Sequence, residues 1–178
     1  MTSFSSEEQG WPHAPDAAEI RRLNADMVKR LLHSAAQPVA EGGQGLRVLE
    51  TRGRATGHPR RTPIGVVQRN DRLYAVSPDR RRDWVQNLTA HPGCRLLTGD
   101  DAHAFAAMPV HGDEAARVVG TYLAAVQAPW ALQAFGVGAD ASHAQIAGHL
   151  DAIAVFQLES PADPADGSSS AGDRREPG

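Results

Sequence analysis

The chain has 178 residues, 41% of them hydrophobic and 22% charged, and a formal net charge of −3. That size suits one domain, and the composition is that of a globular rather than a disordered protein. The single cysteine, Cys94, excludes an internal disulfide framework and a cysteine-based zinc cage. No apolar run approaches the roughly 20 residues of a membrane span. The polar first ten residues do not resemble a signal peptide. We therefore expect a cytoplasmic protein, and association with a membrane surface stays open.

The two ends differ from the rest of the chain. Residues 1–16 and 160–178 mix Ser, Gly, Pro and acidic residues without periodicity, so we expect both to be disordered. A single cofactor-binding domain is expected between them, over residues 17–159. It begins with a helix that Asp16 caps and that runs to about residue 34. Its inward stripe consists of Ile20, Leu23, Met27 and Leu31.

Strands and helices follow in mixed order. Apolar patterning predicts strands over 46–51, 63–69, 73–77, 94–98, 102–110 and 153–158. Residues 53–61 are expected to form a turn-rich loop, and Asn70-Asp71 a tight hairpin turn. Helices are predicted over 81–90, over 113–127 and, with breaks at Gly136 and Gly138, over most of 129–150. Six short, mostly antiparallel strands with three or four peripheral helices predict a small closed or split β-barrel.

Basic residues are concentrated between Arg47 and Arg82, where ten arginines accompany three acidic residues. Gly53 and Gly57 allow a turn whose N–H groups point into one concavity, and nearby arginines add planar donors for phosphate or carboxylate. A second cluster, Arg80-Arg81-Arg82, adjoins the start of a predicted helix, where free N–H groups also favour anions. The two clusters together would form an anion pocket if the fold brings them close; from spacing alone, a solvated arginine rim is the favoured alternative.

Other chemistries find less support. The eight histidines lack metal-ligand spacing, so no metal site is predicted. No nucleophile and base can be paired, and no aromatic residue interleaves the arginine clusters as in nucleic-acid-binding proteins. Trp84 and Leu88 share a helix face, which favours a core position for Trp84 over a ligand platform.

Two segments resemble the deazaflavin-dependent nitroreductase family. The first runs from Val48 to Arg54 and continues in Arg60-Arg61-Thr62-Pro63. The second is Asp83-Trp84-Val85-Gln86-Asn87-Leu88 with Ala90-His91-Pro92. The resemblance is specific over about residues 46–98 and extends beyond them only in the order of strands and helices.

The resemblance implies a six-stranded split β-barrel, similar to flavin reductases and pyridoxamine oxidases, that binds coenzyme F420. This coenzyme is a deazaflavin with a phosphate and an oligoglutamate tail. When reduced, it passes a hydride to quinones, nitro compounds or other activated acceptors. The partners implied are therefore the coenzyme and a small electron acceptor, without nucleic acid or a transmembrane segment, and a homodimer is compatible.

The resemblance also assigns residues to four parts of a site. The phosphate loop would contain Gly53, Arg54, Ala55, Thr56, Gly57 and Arg60. Arg61, Thr62, Pro63, Ile64 and Gly65 would run along the ring. Val76, Ser77, Pro78 and Asp79 would lie at its far edge. Asp83, Trp84, Val85, Gln86 and Asn87 would stand on the helix near the tail.

One catalytic residue is predicted at Ser77. Hydride delivery to a quinone or nitro group leaves negative charge on oxygen, which a hydroxyl can stabilise. The alternative is that Ser77 only starts the turn before Pro78. Two departures from the family pattern stand out: Ala55 replaces a frequent Lys or Arg, and Gly65 replaces a Tyr that several members carry. An FMN-binding oxidoreductase of the same barrel and a non-catalytic coenzyme- or anion-binding protein are the alternative functions.

Overall fold

The computed structural model describes residues 16–126 and 129–161, without the side chains of Pro129 and Trp130. Of the two predicted disordered ends, only Asp16, Ser160 and Pro161 lie within the described residues. The elements in chain order are α1 (Ala17–Leu32), β1 (Gln44–Arg52), β2 (Pro59–Arg69), β3 (Arg72–Ser77), α2 (Asp83–Ala90), β4 (Gly93–Thr98), β5 (Asp101–Val110), α3 (Gly112–Ala125), α4 (Pro129–Gln133), α5 (His143–Ala147) and β6 (Ala154–Glu159).

The six strands form a closed antiparallel barrel in the order β1-β2-β3-β6-β5-β4. Every strand therefore has two hydrogen-bonded neighbours, which leaves no open sheet edge. The prediction of a small, mostly antiparallel barrel is confirmed. The predicted cap is also present, since the Asp16 carboxylate accepts the N–H groups of Ala18 and Glu19, each at 2.8 Å.

One apolar cluster fills the barrel interior. All six strands contribute to it, among them Leu49, Ile64 and Phe156. Helix α2 adds Trp84 and Leu88, and the Trp84 ring lies 6.2 Å from that of Phe156 between centroids. Helix α2 therefore closes the interior with its apolar face, as the spacing of Trp84 and Leu88 predicted.

A second apolar cluster lies outside the barrel. Helices α3 and α5 cover the outer face of β2, β3 and β6, with Val118, Tyr122 and Ile146 against Val67 and Val76. By contrast, α1 contacts the outer face of β1 and β2 without burying any of its own residues. The barrel wall is thus thickly covered on one side and thinly on the other.

Two predicted boundaries were wrong. Strand β2 begins at Pro59 rather than at residue 63, because β1 pairs with it residue by residue as far as Arg52 opposite Pro59. Strand pairing of this kind overrides the turn-like composition of the segment. Residues 129–150 hold only the one-turn helices α4 and α5, since Gly136 takes a positive φ of 68° that ends helical geometry. The described chain accordingly has five helices instead of three or four.

No helix in the described ranges is both long enough and apolar enough to cross a membrane.

Candidate coenzyme site

The loop between β1 and β2, residues 53–58, is held by its own backbone. The N–H of Gly53 donates to the carbonyl of His58 at 2.9 Å, and the N–H of Gly57 donates to the carbonyl of Gly53 at 2.7 Å. Gly57 has a φ of +70°, which other residues rarely adopt. A Cβ on Gly53 would lie 2.9 Å from the hydroxyl oxygen of Thr56. Both glycines are therefore needed for this compact turn.

The same loop is docked on helix α2. The side-chain oxygen of Asn87 accepts the backbone N–H of Arg54 at 3.1 Å and its guanidinium at 3.2 Å. The amide of Asn87 donates to the hydroxyl of Thr51 at 3.1 Å. The Arg54 guanidinium also pairs with the Asp83 carboxylate at 3.0 Å. Residues 29 to 36 positions apart in the sequence thus meet here, and the buried Asn87 is the partner of both Thr51 and Arg54.

Most arginines of the two basic clusters, which are Arg54, Arg60 and Arg61 around the loop and Arg80, Arg81 and Arg82 before α2, already have partners. Arg54 and Arg81 form ion pairs with Asp83 and Asp79. The guanidinium of Arg80 donates to the carbonyl of Leu150 at 2.9 Å. Its role is therefore to tie the β3–α2 connection to the segment before β6.

Two cations of these clusters remain available. Arg60 and Arg82 form no ion pair and no side-chain hydrogen bond with any residue that the structure describes. The Cγ of Arg60 lies 3.6 Å from where a Cβ of Gly53 would stand. Arg82 occupies the N-cap of α2 and caps it with no side-chain hydrogen bond, so the first N–H groups of that helix keep their capacity for an anion. The arrangement provides cations and N–H donors beside one loop.

Strand geometry divides the predicted ring-contacting residues into two sets. Ile64 points into the barrel with the interior cluster, whereas Gly65 faces Tyr122 of α3 on the outside. Because side chains alternate along a strand, Arg61 and Pro63 share the outer face with Gly65. On β3, Val76 belongs to the outer cluster. The outer wall of β2 and β3 therefore brings together Arg61, Pro63, Gly65 and Val76, but not Thr62 and Ile64.

Ser77 is fully buried and already hydrogen-bonded. Its hydroxyl donates to the carbonyl of Asp79 at 2.9 Å and accepts the N–H of the same residue at 3.3 Å. It pairs with Ala154 of β6, a member of the interior cluster. This geometry is that of a residue that closes the turn at Pro78. The catalytic role of Ser77 stays a prediction.

Trp84 and Val85, both predicted near the tail, are buried in the interior cluster. The indole N–H of Trp84 is the one buried side-chain polar group without a hydrogen-bond partner among the described residues. Gln86 donates from its side chain to the carbonyl of Arg80 at 2.8 Å, which fixes the start of α2. Of the five predicted residues on this helix, Asp83 is the exposed one.

Sequence reasoning missed an ion cluster at the base of the loop. Glu50 is buried, and its carboxylate accepts hydrogen bonds from Arg61 and Arg95, each at 2.9 Å from Nε. Burial raises the pKa of Glu50, but the two guanidinium groups outweigh it and hold the pKa below its ordinary value. Glu50 is a lone acid on an otherwise apolar face of β1, and this pattern was the available signal. Its partner Arg95 could not be found from it, because β4 lies 45 positions further along the chain.

A concavity of about 590 Å³ lies on the other side of the loop, against β1, β4 and β5. Of the predicted site residues only Gly57 lines it. Its wall is otherwise made of Arg52, Arg95, Phe105 and smaller residues. Within the described ranges no group of three or more His, Cys, Asp or Glu residues could hold a metal.

Comparison with known proteins bears on this site. Residues 20–137 match the sequence model of the F420H2-dependent quinone reductase family. No curated protein matches the chain.

Several solved structures are similar in fold. A structure described as an F420-H2 dependent reductase (FDR-A) is 20% identical and has a TM-score of 0.43, covering 69% of this chain and 99% of its own. One described as a domain-swapped dimer is 20% identical with a TM-score of 0.47, covering 76% and 96%. An F420 reductase is 14% identical with a TM-score of 0.37, covering 75% and 93%.

Proposed function

The chain belongs to the F420H2-dependent quinone reductase family, and from this premise we propose that it binds coenzyme F420 and passes its hydride to a quinone, a nitro compound or a related activated acceptor. The observation that carries the proposal is the loop 53–58, docked on α2 beside two arginines that have no partner among the described residues.

The loop fits the phosphate of the coenzyme. Its backbone is fixed by the two glycines and by Asn87, so little ordering is needed when an anion binds. Arg60 and Arg82 supply cations that form no ion pair with a described carboxylate, and a guanidinium forms paired hydrogen bonds with phosphate oxygens. Arg54 acts mainly by holding the loop on α2, because Asp83 and Asn87 occupy its guanidinium.

We place the planar ring on the outer wall beside Pro63 and Leu46, which is 46% exposed. Gly65 lies at the edge of this surface, because the Tyr122 phenol of α3 covers it. When bound, the coenzyme supplies the hydride, so the protein needs only to bind, orient and exclude water.

The test begins with equilibrium binding of oxidised coenzyme F420, followed by tryptophan fluorescence. Arg60→Ala and Arg82→Ala should each weaken binding about tenfold to a hundredfold, because a hydrogen bond to a charged group contributes roughly 1.5 to 3 kcal/mol. Arg117→Ala is the matched control, since Arg117 lies on α3 and pairs with the neighbouring Asp113. That variant has the same charge change and should bind as the wild type does.

Turnover is then measured with the reduced coenzyme and menadione, a naphthoquinone, by the return of the deazaflavin absorbance. FMN is titrated in parallel. If FMN binds tightly and coenzyme F420 does not, FMN is the cofactor and the proposed one is wrong. Coenzyme binding without turnover on any quinone or nitro acceptor would instead identify a carrier. Equal affinity in Arg60→Ala, Arg82→Ala and the control would move the phosphate away from this loop.

A further inference from the structure

The phenol of Tyr122 lies directly over Gly65. An ideal Cβ on Gly65 would stand 2.5 Å from the hydroxyl oxygen and 2.9 Å from the Cε2 of Tyr122. No side chain fits in that space, so glycine on β2 and tyrosine on α3 are a matched pair. The ring of Tyr122 packs on that of Phe135 at 5.4 Å between centroids, as the ring of a core residue does. Its polar end, however, reaches the outer wall that we propose for the ring.

A second polar group converges on the same point. The side-chain nitrogen of Gln44 lies 3.0 Å from the ideal Cβ of Gly65. Neither this nitrogen nor the Tyr122 hydroxyl hydrogen-bonds with any residue in the described ranges, and the hydroxyl is not among the buried polar atoms without a partner. Both groups can therefore still donate a hydrogen bond to a ligand that lies beside Leu46 and Gly65.

The charge around this point suits proton donation. Burial raises the pKa of Tyr122, and the nearby cation of Arg82 lowers it in part, so the phenol is protonated at neutral pH. Tyr74, the other tyrosine of the chain, differs because its hydroxyl is committed to the Glu114 carboxylate at 3.0 Å.

We propose that Tyr122 is a catalytic residue that hydrogen-bonds and protonates the acceptor oxygen, with Gln44 as a second donor. The inference rests on the proposed function, in which the hydride crosses on the same face of β2. A quinone that gains a hydride carries one negative charge on oxygen. The O–H bond of Tyr122 breaks as the O–H bond of the hydroquinone forms, and water returns a proton to the phenolate. Acceptors with a carbonyl or nitro oxygen are therefore the expected class.

The first experiment compares Tyr122→Phe with Tyr74→Phe in turnover of the reduced coenzyme with menadione. Tyr122→Phe keeps the ring and its packing but removes the donor, so kcat should fall about tenfold to a hundredfold, as when a preorganised donor is lost elsewhere. Tyr74→Phe should keep the wild-type kcat. An unchanged kcat in Tyr122→Phe, or an equal fall in both variants, overturns the inference.

The second experiment measures equilibrium binding without turnover. With oxidised coenzyme bound, menadione should bind about threefold to tenfold more weakly to Tyr122→Phe, as expected for one lost hydrogen bond. Affinity for the coenzyme itself should stay within about threefold of the wild type, since the interaction is with the acceptor. An equal loss of coenzyme affinity would make Tyr122 a structural residue and overturn the assignment.

A double-variant cycle tests the pairing with Gly65. Gly65→Ala displaces the phenol and should lower kcat about as much as Tyr122→Phe does. In the Tyr122→Phe background the same change should cost clearly less kcat than in the wild type, because the hydroxyl is already absent and only the effect on Gln44 and on ring packing remains. If the losses of kcat are additive, Gly65 and Tyr122 act independently.

The outcomes also distinguish the two proposals. If the wild type neither binds nor oxidises the coenzyme, the proposed function itself fails. If the wild type is active and Tyr122→Phe has the wild-type kcat, only this inference fails.

Discussion

Two connections leave strand β2, and they are built differently. At its end, Asn70 and Asp71 turn the chain directly into β3, with φ angles of +52° and +57°. At its start, the loop 53–58 takes more residues than a hairpin needs and is bound to α2 through Asn87 and Asp83. The first connection is a two-residue turn whose backbone N–H groups donate to the Glu41 carboxylate, at 2.6 and 3.3 Å. The second is a longer loop held on a helix by the side chains of that helix, an arrangement that suits a binding loop.

The largest expected effect comes from removing the residue that holds the longer connection. Asn87→Ala leaves the Thr51 hydroxyl and the Arg54 N–H without their buried partner. Groups left unsatisfied in this way cost about 1 to 3 kcal/mol each, so we expect a loss of about 2 to 4 kcal/mol. For a domain of this size that corresponds to roughly 5 to 15 °C in Tm. Thermal unfolding measures it.

Thr89→Ala is the control for that change. Thr89 lies on the same helix, and its exposed side chain only bonds back to the carbonyl of Val85. Its removal should alter stability by less than about 0.5 kcal/mol. Similar melting temperatures for Asn87→Ala and Thr89→Ala would mean that the loop is held by its own backbone alone.

The next effect separates holding the loop from binding the ligand. Arg54→Ala should weaken coenzyme binding about threefold to tenfold, less than Arg60→Ala, because the Arg54 guanidinium is occupied by Asp83 and Asn87. Fluorescence titration of both variants in the same buffer gives the comparison. A larger loss for Arg54→Ala would show that its guanidinium leaves Asp83 for the ligand.

The base of the loop offers a pH-dependent test. Glu50→Gln removes the carboxylate between Arg61 and Arg95, and we expect a loss of about 1 kcal/mol near neutral pH, since both guanidinium groups are half-exposed. The folded pKa of Glu50 lies below its ordinary value of 4.5, so the carboxylate stabilises the fold above that pH and stops doing so as pH falls through the folded pKa. The Tm difference between the variant and the wild type should therefore shrink in acid. A constant difference would assign the effect to packing.

Much of the fold was readable from local pattern. Asp16 as a cap, Asn70-Asp71 as a turn and the succession of six strands along the chain all rest on residues close in sequence, and the structure has them as predicted. The start of β2 could not be found this way, because Arg60 and Arg61 enter the strand only through their pairing with Thr51 and Glu50. Local composition cannot report a partner strand.

The candidate site was predicted less completely, for a related reason. The resemblance assigned Arg54 to the phosphate loop and Asp83 and Asn87 to the helix near the tail, and the structure has these three side chains in contact. The sequence could not tell which arginines are free, since pairing with Asp79, Asp83 or the Leu150 carbonyl is decided by the fold. Nor could it place Tyr122 over Gly65, because α3 follows β2 by more than forty residues. The two elements meet only once the strands have closed into the barrel.

The smallest expected effect is on the stability of the short turn between β2 and β3. Asp71 holds a left-handed φ of +57°, which costs an L-residue roughly 1 kcal/mol, whereas glycine adopts it freely. Asp71→Gly also makes the unfolded chain more flexible, which offsets part of the gain. We therefore expect a net stabilisation of about 0.5 kcal/mol, in line with the preference of such turns for Asn-Gly.

The opposite change can be made at Gly99, which has the same φ of +57° in the β4–β5 turn and open space around its Cβ position. Gly99→Ala should destabilise the fold by about 1 kcal/mol through the backbone alone. Urea unfolding should show a higher free energy of unfolding for Asp71→Gly and a lower one for Gly99→Ala. Because neither turn contacts the loop 53–58 through a hydrogen bond, coenzyme affinity should be unchanged in both variants, and a change in affinity would mean that the short turns, too, take part in binding.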